Sequence, residues 1–184
     1  QKIKHYKPKY LYGYVSAIEI LCDFIQQNKL APLSSLCAVI TTAEVLTDAS
    51  REKIYNSLKV KVFNEYGCGE VGSIAHECEH GSMHVISENL HLNIDGDGDT
   101  GELIVTDLHN YAMPLIRYRI GDYATLSKKE CACGRKQPII EKIHGRAYDL
   151  IQTAAGKPIH PEALMYVFEA IQGKVNAFKH FQVI

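Results

Sequence analysis

Ile18, Leu21, Cys22 and Ile25 stand at i, i+3, i+4 and i+7, the spacing of one apolar helix face. Ser16-Ala17-Ile18-Glu19 has the S-x-x-E form of a capping box, in which each side chain can satisfy a helix-start N–H of the other. Pro32 and the serines at 34 and 35 punctuate the chain, and residues 37–41 then read as a short buried strand. Thr47 is placed to cap a second helix running to about residue 58, and Val60-Lys61-Val62-Phe63 begins another strand. Strand, helix of about ten residues and strand make a βαβ unit, which requires a parallel sheet with helices on its faces.

The texture changes near Met83. Short alternating runs at residues 84–86, 90–94, 102–106, 115–118 and 123–126 are separated by Gly, Asn and Asp clusters, which predicts antiparallel β structure of barrel-like form. A second change falls at residues 142–149. Beyond it come a strand at 150–153, a turn at Gly156 and a helix with Pro161 in its first turn. Leu164, Val167, Phe168 and Ile171 form that helix's apolar face, and Gly173 ends it. The fold class is α/β: a βαβ layer with an antiparallel β subdomain, then the start of a small α+β unit.

Composition narrows the function classes. The 184 residues are 46% apolar and 22% charged, enough to bury a real core in one domain or one and a half. A net charge of -1 with no basic stripe argues against a nucleic-acid partner. No apolar run approaches the ~20 residues that span a bilayer, so no membrane segment is expected. Six cysteines at irregular spacing do not make a secreted disulfide framework, and the reading is a soluble cytoplasmic protein with reduced thiols. The chain opens on Gln1 rather than Met and stops in an unpaired strand-like run, which reads as a fragment.

In parallel sheets ligands bind beyond the carboxyl ends of the strands. The strand that begins at Val60 leads into Asn64-Glu65-Tyr66-Gly67-Cys68-Gly69-Glu70: an amide, an aromatic face, glycines for close approach and a carboxylate suited to Mg²⁺. Taken alone, an ordinary glycine-rich turn explains these residues as well. Gly67, Gly69 and Gly72 also fit G-x-G-x-x-G, with Glu88 roughly 20 residues on, but residues 73–84 carry no amphipathic helix to hold a pyrophosphate. The run from Asp95 to Gly101 is not an EF-hand, because Thr100 and Thr106 stand where that loop needs Gly and Glu; a hairpin turn fits better.

Cys78-x5-His84 and, after 46 intervening residues, Cys131-x-Cys133-Gly134 offer three thiolates and an imidazole. That is a closed tetrahedral set for structural Zn²⁺, although C-x-C is tighter than the usual C-x2-C. His76 and His80 are substitutes, and a set of reduced, partly buried thiols is the plainer alternative. Cys22 and Cys37 both read as core.

Three longer motifs then point one way. Asn64-x-Tyr66-Gly67-x-x-Glu70 resembles the N-x-Y-G-x-T-E motif of the adenylate-forming superfamily, and Tyr118-Arg119-Ile120-Gly121-Asp122 resembles its Y-R-T-G-D. Gly145-Arg146-Ala147-Tyr148-Asp149, with Gly156-x-x-Ile159-x-Pro161-Glu162, resembles its hinge motif. Thr41-Thr42-Ala43-Glu44 is a looser match to its adenine-contacting loop. The motifs occur in the family's order and the resemblance covers essentially the whole chain. It is nearest to phenylacetate–CoA ligases and their capsular-polysaccharide CapK-like relatives, which carry a similar Cys/His set.

The resemblance implies an acyl–CoA ligase that uses ATP, Mg²⁺ and coenzyme A on a small-molecule carboxylate, with a homodimer as one possible assembly. Tyr66 would stack on adenine beside Gly67, Asn64, Ala43 and Glu44 would contact the nucleotide, and Asp122 would accept both ribose hydroxyls. Glu70 would hold Mg²⁺, Arg146 would sit near ribose and phosphate, and Asp149 would be the pivot. Residues 1–143 would be the later portion of the large adenylation domain, and 144–184 the hinge and start of the C-terminal lid. Two positions depart from the pattern: Gly69 replaces Thr and Tyr148 replaces the first hinge Asp. The phosphate loop and catalytic lysine would lie outside the chain, so the fragment itself is expected to be inactive. A zinc-stabilised module that binds a nucleotide or a partner without chemistry is the alternative.

Overall fold

A computed structural model describes residues 2–96, 98–147, 151, 152, 158, 159, 167 and 171. A short helix α1 (Lys2–Tyr6) precedes β1 (Tyr10–Tyr14), α2 (Val15–Gln27), β2 (Ala38–Thr42), α3 (Asp48–Leu58) and β3 (Lys61–Cys68). The antiparallel strands follow: β4 (Gly72–Glu77), β5 (Met83–Val85), β6 (Leu90–Asp95), β7 (Thr100–Asp107), β8 (Tyr118–Ser127) and β9 (Ile139–Arg146). A two-residue pair, β10 (Ile151–Gln152) with β11 (Pro158–Ile159), lies beyond. The nine-stranded sheet has the order β1-β2-β3-β4-β5-β9-β8-β7-β6.

β1, β2 and β3 run parallel, joined by α2 and α3, as the βαβ pattern requires. Ile18, Cys22 and Ile25 of α2 and Ile54 and Leu58 of α3 pack on Val39 and Val62 of the sheet. Lys53 ties the helices together, 2.9 Å from Asp23 and 3.7 Å from Glu19. Thr47 caps α3 as expected, accepting from Ser50 N–H at 3.1 Å, and Lys59 ends it in the left-handed conformation.

Seven strands, β3 onward, pair antiparallel in one continuous order. Their inward residues meet in a single core: Ile74, Val85, Leu90, Leu103, Val105, Ile120, Ala124 and Ile140. The sheet thus wraps one core in the barrel-like sense, with β6 as an edge strand of the described sheet. The turn from Asp95 to Thr100 joins β6 to β7 as a hairpin, as expected in place of a calcium loop.

Several expectations need correction. The capping box does not form: α2 begins at Val15, and the Ser16 N–H and hydroxyl both go to Glu44, at 2.7 and 2.8 Å. A carboxylate from across the sheet is the stronger acceptor, so Glu19 is left to the Lys53 pair. Cys37 is exposed, because β2 starts one residue later. The strand entering Asn64 does not stop there but continues to Cys68. Residues 115–117 are not strand, and the run from 118 to 127 is one element. β1, β4, β9 and β11 were not foreseen as strands. Val167 and Ile171 are exposed rather than packed; Leu164, Phe168, Asp149 and the Gly156 turn lie outside the described residues. Among the described residues no helix is long and apolar enough to cross a membrane.

Leu103 is fully buried in the antiparallel core. Leu103→Ala is expected to cost about 2–5 kcal/mol, the range for an emptied leucine site. Urea denaturation should show this as a lower midpoint at unchanged slope.

Candidate functional site

β3 carries the first group of candidates. Asn64 and Tyr66 alternate onto the same side of the strand, and Gly67 follows at a bulge in the pairing with β4. A Cβ on Gly67 would lie 2.3 Å from the carbonyl oxygen of Gly72, so close strand approach alone requires glycine here. Glu70 sits in the turn between β3 and β4 and is exposed.

Tyr66 reaches across to β8. Its hydroxyl donates to Asp122 Oδ2 at 2.6 Å, and Asp122 Oδ1 lies 3.3 Å from Arg146 Nη1, its partner in the β8–β9 register. Arg146 Nη1 also donates to the Ile120 carbonyl at 2.8 Å. Burial, then the Asp122 contact, pushes the Tyr66 hydroxyl far above the usual phenol range, so it remains a donor. Asp122 was expected to serve ribose with both oxygens; here each already has a protein partner. An ionised carboxylate has about four lone-pair sites, so capacity for further donors remains.

Tyr118, the first residue of β8, donates its hydroxyl to Glu70 Oε1 at 3.2 Å. Glu70's own N–H, then Cys68 and Tyr118, holds its carboxyl below the usual range. Residues 64–70, 118–122 and 146 are therefore drawn into one constellation through Tyr66–Asp122, Glu70–Tyr118 and Asp122–Arg146. Across the parallel sheet, Thr41 stands opposite Asn64. Ala43, just past β2, adopts φ +64°, a conformation costing an L-residue roughly 1–2 kcal/mol. Glu44 acts on α2 through Ser16.

The cysteine and histidine set converges from three places. Cys78 follows β4, His84 is in β5, and Cys131 and Cys133 lie in the β8–β9 loop. One ligand atom from each lies within 4.8 Å of all the others. Cys78 Sγ is 3.6 Å from Cys131 Sγ, and Cys133 Sγ is 3.3 Å from His84 Nε2. Tetrahedral zinc with Zn–S near 2.3 Å sets sulfurs about 3.8 Å apart, so the donor set fits. Gly81 and Gly134 each follow a cysteine by three residues at φ near +80°, closing matched turns with N–H bonds to the Cys78 and Cys131 carbonyls. His84 Nδ1 faces the Gln137 carbonyl at 3.4 Å, which leaves Nε2 toward the sulfurs. Hydrogen bonding from Ser82, then from the Cys133 N–H, lowers the Cys131 thiol to about 7, whereas burial raises Cys78. His76 turns instead to Ser73, and His80 contributes its main-chain N–H to Cys78.

Two cavities of about 370 Å³ lie beside the Cys/His set rather than at the Tyr66–Asp122 group. One is walled by α3, Lys61 and Glu77, the other by Phe63, His84, Arg135 and Gln137. Asp149, the expected pivot, lies outside the described residues. Sequence reasoning gave no role to Thr41, Glu77 or Tyr118, whose contacts join residues from different strands. Thr41 and Tyr118 each open a motif already quoted from the sequence, whereas only its adjacency to Cys78 hinted at Glu77.

The Tyr66 hydroxyl has a charged acceptor in a partly buried setting. Tyr66→Phe is expected to lower stability by about 1.5–3 kcal/mol, as for hydrogen bonds to charged groups. Chemical denaturation of the variant beside the parent measures it.

No family model matches the chain. It is 29% identical to a phenylacetate–coenzyme A ligase of Thermus thermophilus, aligned over 99% of this chain and 43% of that protein. It is 28% identical to the protein CapK of Staphylococcus aureus, over 83% of this chain and 34% of that one. The chain thus spans less than half the length of these relatives. Among solved structures, an open conformation of 2-hydroxyisobutyryl-CoA ligase with 2-HIB-AMP and CoA superposes with a TM-score of 0.82 at 22% identity. That match covers 94% of this chain and 44% of the ligase. The anthranilate CoA ligase in complex with anthranoyl-AMP matches at TM-score 0.62 and 16% identity, over 88% and 34% of the two chains. In sequence the chain is similar to part of a phenylacetate–coenzyme A ligase or CapK protein, and its fold is that of the adenylate-forming acyl-CoA ligases.

Proposed function

We propose that the whole protein containing this chain condenses a carboxylate with ATP to an acyl-adenylate and pyrophosphate, then passes the acyl group to the thiol of coenzyme A with release of AMP. The observation that carries this reading is the chain Tyr66–Asp122–Arg146, a hydrogen bond followed by an ion pair. Three motifs far apart in sequence meet there in the order the resemblance requires. Relatives solved with acyl-AMP and CoA support the same chemistry.

In this reading Asn64, Ala43 and Glu44 lie around the adenine, Tyr66 packs against the base and Asp122 takes ribose hydroxyls. Arg146 places a cation beside ribose and phosphate, where fixed charge offsets charge developing on the α-phosphate. Glu70, exposed and ionised, suits a Mg²⁺ that keeps waters and binds phosphate oxygens, and that ion would supply charge neutralisation. Residues 1–143 belong to the adenylation domain and 144–184 to the hinge and lid, with Asp149 as the pivot between half-reactions. Cys78, His84, Cys131 and Cys133 hold a structural Zn²⁺ that pins the β4–β5 and β8–β9 loops together. The likeness to CapK makes a capsular-polysaccharide precursor one class of acid to test.

The test is carboxylate-dependent ATP–pyrophosphate exchange by the full-length protein over a panel of aliphatic and aromatic acids. Exchange with at least one acid is expected, with Glu70→Gln lowering it at least about tenfold and residues 1–184 alone showing none. A full-length protein inert toward every acid, yet binding adenine nucleotide, would favour the non-catalytic module instead.

Metal analysis should find one zinc per chain. Cys131→Ser or a strong chelator should remove it and lower the melting temperature, since metal-binding free energy adds to folding. Protein that is metal-free yet melts like the parent would dismiss the zinc centre.

A further inference from the structure

Glu44 directs both carboxylate oxygens at one residue. Ser16 donates its N–H to Oε2 at 2.7 Å and its hydroxyl to Oε1 at 2.8 Å. Both directions are fixed, because an ionised carboxylate only accepts. Ser16 is the second residue of α2, and the N-cap of that helix, Tyr14, makes no side-chain cap. Its N–H is one of the helix-start groups that have no partner within the helix, and the positive end of the helix dipole favours a carboxylate there. Glu44 therefore serves as the missing cap, brought from a loop 28 residues away in sequence.

The same contact constrains Ala43. On one side of it, Thr42 is held in β2 by the parallel register with Tyr14. On the other, Glu44 is held by Ser16. Ala43 joins these two anchors and adopts φ +64°. A left-handed conformation is unfavourable for a residue with a Cβ and persists only where its surroundings over-determine it. Such positions concentrate at ligand clamps and switches. Here the turn lies at the carboxyl end of β2, on the side where open parallel sheets take ligands.

We infer that Ser16 is a positioning residue for the nucleotide: with Glu44 it forms a clasp from α2 that holds Ala43 left-handed and so fixes the loop that faces ATP. This rests on the nucleotide site proposed above. Without the clasp Ala43 relaxes toward ordinary conformations, and apparent affinity falls with the fraction of molecules still left-handed. The clasp acts through the shape of the loop and supplies no group to the reacting atoms, so its loss acts on KM for ATP more than on kcat.

The experiment measures ATP–pyrophosphate exchange by the full-length protein with its best carboxylate. Ser16→Ala is expected to raise KM for ATP about fivefold with kcat within about twofold. Ser16→Thr, which keeps the hydroxyl, should stay within about twofold of the parent KM. Two backgrounds separate the clasp from a general weakening of α2. With Glu44→Ala already present, Ser16→Ala should add less than about twofold, because the acceptor is gone. With Ala43→Gly present it should also add less than about twofold, because glycine takes positive φ without steric cost. An unchanged KM in Ser16→Ala, or an undiminished rise in either background, overturns the inference while the ligase reading stands. An unaltered protein without exchange on any acid overturns both.

Discussion

The fold turns on a change of partner within one strand. β3 pairs parallel with β2 as far as Asn64 and antiparallel with β4 from Glu65 onward. At such a change the regular ladder cannot satisfy every main-chain group, and an unpaired buried N–H is costly. Glu77 resolves it by accepting the Asn64 N–H. The carboxylate is tolerable in so enclosed a place because Arg51 of α3 binds both of its oxygens. One ion pair therefore joins the helical layer, the parallel sheet and the antiparallel sheet.

The candidate site is arranged around that junction. The parallel half supplies Thr41, Ala43 and Glu44 at the carboxyl end of β2, where open α/β sheets take ligands. The antiparallel half supplies Asp122 and Arg146 from adjacent strands. Tyr66, two residues past the change of partner, bridges the halves through its hydroxyl. Just beyond Glu77, Cys78 begins the thiol–imidazole set that binds the ends of β4 and β5 to the β8–β9 loop. Glu77, which accepts the Asn64 N–H, and Cys78, which belongs to the thiol–imidazole set, are consecutive residues at the end of β4, so the two candidate groups are joined there.

Much of this was legible from the chain. The helix α3 with its Thr47 cap, the parallel unit, the hairpin at residues 95–100 and the Cys/His set were read from periodicity, turn chemistry and ligand type. The failures share a cause. Ser16 has a good capping partner three residues on, yet Glu44 takes its N–H and hydroxyl from another loop. β4 and β9 each bury two consecutive residues, Ile74 with Ala75 and Ile139 with Ile140, so no period of two marks them. Residues 115–118 looked like a strand, but the chain there turns through Arg117 at φ +53° before β8 begins.

The sequence by itself determined the types of element, the order of the three motifs and the donor chemistry of the cysteine cluster, because these depend on local spacing and side-chain identity. Only the tertiary structure decided which groups are left to meet a ligand. Asp122 is shared between Tyr66 and Arg146, and both oxygens of Glu44 accept from Ser16 at the start of α2. Each outcome is a competition among hydrogen-bonding groups brought together from distant positions, and such competitions are settled by geometry that no local pattern encodes.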